Sequence, residues 1–389
     1  MTEASLTRRT VLTALSSLLL SRSADARPDV SGFVVTNLNG LGEDMLGQLA
    51  ASSGGGLVSA LSLMDALAPL SAAATGEAAK AMARILVAPG AEGAWNLGER
   101  LAGAAALRRA SALWLPRGQA PRPDFIHAIK RLGIHVEAID LASPGAATHI
   151  NAWVAANTAN LIPSLFDRLP RDPGLVITAA LHFAARWAQA FDMAQSRRAT
   201  FTRGDGRRLQ ATFLRDTRRV AHARSSHWQA VRLPYSDDAF ELVLLASAPQ
   251  RPLQQTLDAL RQRQAISALN ALTFVSTEVE LSLPRLALSQ SADLLQALRR
   301  SVLANAFSPD AEYRNITGSP IRIATLRQRV VLKLDEAGTQ AAAATGAVGN
   351  RSLAKPAQFT ADRPFLAFVV HRETGLHVVS ALVDQPGEV

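Results

Sequence analysis

The segment from Asp335 to Phe359 constrains this chain more than any other, because it carries almost no large side chains. It reads DEAGTQAAAATGAVGNRSLAKPAQF and lies between two apolar, strand-like stretches, QRVVLKLDE and FLAFVVHRETGLHVVSALV. Four consecutive alanines favour a helix, but Gly338, Gly346 and Gly349 interrupt the segment and it has no apolar face to bury. A flexible linker is the other ordinary interpretation. Long structureless loops are uncommon inside compact domains unless they are functional, so a linker and a functional loop both remain open.

Residues 1–26 have the layout of an export signal. A pair of arginines at 8–9 precedes an apolar stretch at 11–20, and Ala-Asp-Ala at 24–26 supplies a cleavage site. The pattern resembles a twin-arginine signal, and its apolar part is too short to span a bilayer. We therefore expect residues 27–389 to form one exported domain, periplasmic or extracellular, monomeric and not transmembrane.

The composition narrows the classes of partner. The formal net charge is +9, and it favours anionic partners, so a polyanion is a candidate ligand. The densest basic run, RRLQATFLRDTRRVAHAR, has no interleaved aromatic residues, which indicates a solvated basic face rather than a specific nucleic-acid site. The chain has no cysteine, which excludes disulfides and thiol chemistry. Stability must come from a buried core, for which the length is sufficient.

The order of the elements predicts an α+β fold. The first half reads mainly as helix, with breaks expected near Pro69 and Gly76. The run LVITAALHFAARW is typical of a buried strand. Later, AVRLPYSDDAFELVLLAS and FLAFVVHRETGLHVVSALV read as hairpins. Helices are predicted for PLQQTLDALRQRQAISAL and SADLLQALRRSVLANAF.

Catalytic and metal-binding motifs are scarce. The chain contains no G-x-S-x-G, H-E-x-x-H, P-loop or C-x-x-C pattern, so we expect neither a cofactor nor a metal. Ser352 and Lys355 form an S-x-x-K pattern, as in penicillin-binding enzymes. Those enzymes also need a downstream S-x-N and a K-T-G, whereas here Ser236-Asp237-Asp238 lies upstream and no K-T-G exists. A serine hydrolase is therefore only a distant alternative, and the chain is not expected to be an enzyme.

Several motifs resemble those of the serpin family, in the same order along the chain. DEAGTQAAAAT followed by FTADRPFLAFVV is similar to the hinge, the reactive loop and the strands after it. SALSLMDALAPLSAAATGEAAKAM resembles the early S-P-x-S helix, and INAWVAANTANLI resembles the I-N-x-W-V motif. LVITAALHFAARW, VRLPY and LSLPRLAL resemble three family strands. Together the matches cover about residues 59 to 386.

The resemblance implies the serpin fold, with about nine helices around three β-sheets and an exposed reactive-centre loop at about residues 337–358. It also implies inhibition of serine proteases by a suicide-substrate mechanism. The protease cleaves a bait bond, the loop inserts into the central sheet as a new strand, and the acyl-enzyme is trapped. A non-inhibitory binding protein with the same fold is the alternative.

The resemblance also assigns residues to the loop. The hinge acid is Glu336 and Gly338 is a pivot. Alternation along an inserted strand would place only small side chains on one face, namely Thr339, Ala341, Ala343 and Thr345. The bait is the bond Arg351–Ser352, with Ser352–Leu353 as the alternative, and an arginine bait suits trypsin-like proteases.

Below the loop, the family places two further groups of residues. Trp187 and Arg285 lie in the region called the breach, where Arg285 takes the lysine position of the L-P-K strand. We therefore predict that Arg285 pairs with Glu336. In the region called the shutter, Ser59 and Ser62 match the family serines. Its asparagine and histidine are replaced by Ala179 and Gln328, a paired loss that can be nearly neutral if no buried group is orphaned.

Overall fold

The computed structural model describes residues 30–86, 92–101, 104–171, 174–261, 264–308, 311, 313–338 and 355–387. Its described α-helices are α1 (Val30–Ser53), α2 (Ala60–Ala73), α3 (Gly76–Leu86), α4 (Glu92–Arg100), α5 (Pro123–Ile129), α6 (Ala146–Asn157), α7 (Leu253–Arg261), α8 (Gln264–Ala271), α9 (Leu295–Arg299) and α10 (Arg314–Thr317). Its described strands are β1 (Gly56–Val58), β2 (Leu107–Pro116), β3 (His135–Ile139), β4 (Leu175–Phe183), β5 (Arg197–Thr202), β6 (Arg208–Arg224), β7 (Trp228–Pro234), β8 (Phe240–Ser247), β9 (Val275–Pro284), β10 (Leu286–Asp293), β11 (Ile323–Leu334), β12 (Ala357–Thr360), β13 (Phe365–His371) and β14 (His377–Val383). Within these ranges, no helix is both long and apolar enough to cross a bilayer.

A five-stranded sheet has the order β10-β11-β4-β2-β3. Every residue of β4 is buried, as expected for a strand that is covered on both faces and reads as a continuous apolar run. Ile177 and Leu181 join the main core on one face. Val176 and Ala180 pack with Val154 of α6 on the other face. The sheet therefore lies between the main core, which includes α2, and the covering helix α6.

A nine-stranded sheet has the order β1-β14-β13-β8-β7-β6-β9-β12, with β5 also paired to β6. The long strand β6 pairs with β5 and β9 and, near its end, with β7. It thereby joins two groups of strands, so that two of the three sheets implied by the resemblance share one hydrogen-bonded network. Arg285 alone separates β9 from β10, and it connects the two sheets at this point.

Most local predictions agree with the structure, but two are wrong. Pro69 does not break a helix, because α2 continues through it and every residue of α2 except Ala72 is buried. Core packing there outweighs the loss of about 3 kcal/mol that an internal proline causes. The helix predicted for residues 291–307 begins later, at Leu295, and already ends at Arg299. Residues 291–293 instead complete β10, because β11 extends far enough to pair with them.

Candidate functional site

The seam between β4 and β11 is the centre of the five-stranded sheet. The two strands are parallel and pair from Leu175–Ile323 to Phe183–Leu332. After β11 ends at Leu334, the chain leaves the sheet at the end of the seam where β4 also ends. Further predicted loop residues lie outside the described part of the chain, namely Thr339, Ala341, Ala343, Thr345, Arg351, Ser352 and Leu353.

Glu336 is buried at the end of this seam and carries the predicted ion pair. Arg285 Nε donates to both carboxylate oxygens, at 3.1 and 3.0 Å, and its Nη2 lies 2.6 Å from Oε1. The Ser196 hydroxyl donates to Oε1 at 2.5 Å. Burial alone would raise the pKa of Glu336, but these hydrogen bonds, together with the charge of Arg285, lower it below its ordinary value. The predicted pairing is confirmed, and it fixes the carboxylate in its ionised form.

The backbone around Glu336 is held by the segment that follows β4. Trp187 donates its backbone N–H to the Ala337 carbonyl at 3.0 Å and its indole N–H to the Asp335 carbonyl at 2.9 Å. Phe191 donates its backbone N–H to the Glu336 carbonyl at 2.8 Å. The indole ring stacks on Tyr235 with centroids 4.7 Å apart. Three successive carbonyls of the chain leaving β11 are thus hydrogen-bonded to the segment that follows β4.

Gly338 occupies a position that no other residue fits. Its φ of +144° lies in a region that L-residues rarely adopt. A Cβ placed there would lie 2.2 Å from the Ala185 carbonyl oxygen and 2.6 Å from the Arg186 Cα. These neighbours are backbone atoms and cannot swing aside. The residue predicted as a pivot therefore sits in close backbone contact with the segment after β4.

Arg218 is a functional candidate that the sequence analysis missed, because it lies in the basic run interpreted as a solvated face. Its side chain is only 7% exposed and pairs with Asp216 at 2.7 Å. The guanidinium donates to the Gln189 and Ala190 carbonyls and stacks over the Phe191 ring. It therefore braces the segment that holds Glu336. Its pattern in sequence does not distinguish it from the exposed arginines beside it, so only its burial reveals it.

The four residues predicted for the shutter lie where α2 meets the seam. Ser59 caps α2, and its hydroxyl accepts the Ser62 backbone N–H at 3.0 Å. The Gln328 amide accepts the Ser59 backbone N–H and donates to the Ser59 carbonyl, both at 3.1 Å. Ala179 lies directly opposite Gln328 across the seam. Gln328 therefore binds the helix start through backbone groups, a link that needs no asparagine partner on β4.

The described residues of this arrangement hold a chain segment in place. Among the described residues, no group of histidine and acidic side chains could hold a metal ion. Lys355 of the S-x-x-K pattern is exposed. Ser236 lies in the turn between β7 and β8. What the geometry offers is a seam between two parallel strands, with a clamped chain at its end.

A family model described as serpin, a serine protease inhibitor, matches residues 36–386. The chain belongs to the serpin family. Serpins inhibit proteases and are not themselves enzymes, which agrees with the expectation from the motifs. Serpin B8 of Homo sapiens is 30% identical over 232 residues, which is 58% of this chain and 62% of that protein. The leukocyte elastase inhibitor of Bos taurus is 27% identical over 342 residues, which is 81% of this chain and 89% of that protein.

Solved serpin structures share the fold. Native protease nexin-1, solved with heparin, superimposes with a TM-score of 0.76 at 21% identity over 92% of this chain and all of that one. The thermophilic serpin tengpin in its native state gives a TM-score of 0.77 at 18% identity, over 94% of this chain and 95% of that one. At these identities, the likeness establishes the fold and leaves the target protease open.

Proposed function

We propose that this serpin is a suicide-substrate inhibitor of trypsin-like serine proteases. The seam between β4 and β11 carries the proposal. The chain leaves β11 at the shared end of both strands, so residues from 339 onward can fold back only antiparallel to both. Their insertion would replace one parallel pairing with two antiparallel ones, which are slightly more stable per residue.

The composition of residues 339–345 supports the same step. Only threonine and alanine would project to one face of the inserted strand, at positions 339, 341, 343 and 345. Burying such side chains leaves no charge without a partner, which would otherwise be costly. The contacts of Glu336 and Gly338 hold the start of the loop at the mouth of the seam, and cleavage would free the chain beyond them.

The catalytic groups belong to the protease, and the bait bond of this chain is the peptide bond that the protease cleaves. The protease serine attacks the carbonyl carbon of Arg351, the bond to the Ser352 nitrogen breaks, and that nitrogen leaves as an amine. An ester then links the protease to Arg351. The guanidinium of Arg351 suits the acidic primary pocket of a trypsin-like protease, and cleavage at Ser352–Leu353 is the alternative. Insertion would carry the esterified protease along the seam before water hydrolyses the ester.

A direct experiment incubates the protein with trypsin and looks for a complex that survives SDS. Trypsin whose active-site serine has been blocked is the control, since it binds without forming an ester. A complex that forms with active trypsin but not with blocked trypsin supports the proposed inhibitory function. Loop cleavage without a complex would instead support the runner-up, a non-inhibitory binding protein with the serpin fold.

Export and a polyanion partner complete the proposal. Residues 1–26 would direct a monomeric domain to the periplasm or beyond, which fractionation of cells expressing the full chain tests. The net charge of +9 supports acceleration by a polyanion, and native protease nexin-1 was solved with heparin. Inhibition rates measured with and without heparin at two salt concentrations test this, because an electrostatic effect weakens with salt.

A further inference from the structure

Helix α2 crosses the five-stranded sheet and is tied to it on both sides of the seam. At its start, the Ser59 backbone holds Gln328 of β11. Further along, the Asp65 carboxylate accepts the Ser111 hydroxyl at 3.1 Å and lies 3.3 Å from Arg109 Nη1. Ser111 and Arg109 belong to β2, which lies beyond β4. The helix therefore links β11 to β2 and spans the seam where a strand would enter.

The register places these contacts in one row across the sheet. Gln328 is opposite Ala179, and Ala179 is opposite Ser111, so all three project to the α2 face. Six residues of helix from Ser59 to Asp65 rise about 9 Å. Two strand spacings, from β11 to β2, measure about 9.6 Å. The two ties thus match the present width of the sheet, and an extra strand would separate them by about 4.8 Å more.

The connections of α2 indicate which tie would be released. Ser59 directly follows β1, and β1 is hydrogen-bonded to β14 of the nine-stranded sheet. On the same side of the seam, β10 follows β9 after Arg285 alone, and it pairs with β11 along its whole length. The start of α2 and the strands β10 and β11 are therefore fixed to one body. The other half of the sheet, β4, β2 and β3, is the half that can move away.

Movement by one strand spacing would place β4 where β2 lies over Asp65. Ala179 would replace its register partner Ser111, and Leu181 would replace its register partner Arg109. Neither side chain can donate a hydrogen bond. Asp65 is only 6% exposed, and burial already raises its pKa even with both present partners. We propose that Asp65 is a brake on loop insertion, which holds the native sheet closed through Ser111 and Arg109 and loses both partners when a strand enters.

This inference rests on the proposed function, since it concerns the insertion step itself. It predicts opposite effects at two register partners. Ser111→Ala should lower the denaturation temperature of the native protein by about 2 °C or more and leave the loop-cleaved form unchanged, because Ser111 has left Asp65 there. Ala179→Ser should raise the denaturation temperature of the cleaved form, relative to that of the native form, by a similar amount, because only in the cleaved form does its hydroxyl reach the orphaned carboxylate. In an Asp65→Ala background both effects should vanish.

The experiment compares native and loop-cleaved protein by thermal unfolding for wild type, for both single variants and for each combined with Asp65→Ala. If cleavage does not stabilise the wild type, no strand has inserted, and the proposed function fails together with the brake. If cleavage stabilises the wild type but Ser111→Ala weakens both forms equally, β2 has kept its place on Asp65 and the brake alone is overturned. An Ala179→Ser effect that persists without Asp65 overturns it as well. If Asp65→Ala does not fold, the contrast between native and cleaved Ser111→Ala decides alone.

Discussion

Arg285 binds the Glu336 carboxylate with two nitrogens at 2.6 to 3.1 Å, at the point where the chain leaves the five-stranded sheet. The pair is asymmetric in exposure, with the Arg285 side chain 27% exposed and that of Glu336 6%. If the pair opens, water can therefore solvate the charge of Arg285 in place. The charge of Glu336 can be solvated only if the side chain leaves its buried site. The contact therefore favours the closed arrangement, in which Glu336 stays at the end of the seam.

Glu336→Gln should loosen this hinge. The variant loses the charge-assisted part of four hydrogen bonds, three from Arg285 and one from Ser196, and we expect the free energy of unfolding of the native form to fall by about 2 kcal/mol. Spontaneous loss of inhibitory activity on storage should also accelerate. Denaturant titration and activity over time measure the two effects. Arg215→Gln is the control, because Arg215 is an exposed arginine of the basic run at residues 207–224. It should change neither quantity.

The same pair gives the native state a pH dependence with a definite sign. The pKa of Glu336 is lowered on folding, so its stabilising contribution is complete above the unfolded value of about 4.3. That contribution is lost as the pH falls through the lowered, folded value. The stability difference between wild type and Glu336→Gln should therefore be constant from pH 7 to pH 5 and shrink below pH 4. A difference that grew on acidification would show that Glu336 is not held ionised.

Arg351→Ala should abolish most inhibition of trypsin while leaving the fold unchanged. The primary pocket of a trypsin-like protease requires a cationic side chain, and loss of a buried charge pair there costs several kcal/mol, or more than 100-fold in rate. Arg351→Lys keeps the charge and should retain measurable inhibition. Second-order inhibition rates for the three proteins provide the comparison. Equal rates for the alanine variant and the wild type would move the bait bond to Ser352–Leu353 or elsewhere.

Thr339→Arg should convert the inhibitor into a substrate. In an exposed loop the guanidinium is solvated, but in an inserted strand it would have no partner, at a cost of several kcal/mol. Insertion slows, the ester is hydrolysed, and active protease is released with a cut loop. Thr339→Ser is the matched control. The stoichiometry of inhibition should rise several-fold for the arginine variant only, and covalent complex at wild-type stoichiometry would exclude insertion at this hinge.

Gln328→Leu should destabilise the native protein by about 1 to 3 kcal/mol, because it leaves the buried backbone N–H of Ser59 without its partner. The double variant Gln328→His with Ala179→Asn places the family residues at both positions. It should be more stable than Gln328→Leu, because its side chains can again form hydrogen bonds in this region. Chemical denaturation of the single and double variants measures it. A harmless Gln328→Leu would mean that water or a neighbour satisfies Ser59.

The sequence alone predicts those parts of the molecule whose structure follows from local residue patterns. β4 is recognisable as a continuous apolar run, and the hairpins by their alternation and turn residues. Arg285 and Glu336 could be paired because both belong to motifs with a fixed place in the fold. The small, uncharged residues after Gly338 predict a segment that can insert between two strands, and this stays a prediction.

Other parts depend on tertiary packing that local patterns do not encode. Pro69 lies within a helix because the surrounding core favours its continuation. Arg218 is buried although its neighbours in the basic run are exposed. Gln328 replaces a side-chain partner with the backbone of Ser59, and a contact between residues 269 positions apart has no local signature. In each case the deciding interaction is distant in sequence.

The single-residue connection between β9 and β10 has a mechanical consequence. Arg285 is the whole connection between β9 and β10, and its backbone N–H donates to the Thr212 carbonyl at 2.8 Å. The residue that pairs with Glu336 therefore lies at the connection between the two sheets and not within either sheet. In the proposed insertion, Arg285 would stay with β10 and β11, and Glu336 would leave it when the chain after β11 turns back into the seam. If a protease is captured as proposed, part of the force that it exerts on β10 and β11 would pass to the nine-stranded sheet through this short connection, so Arg285 would anchor the trap as well as hold the hinge closed.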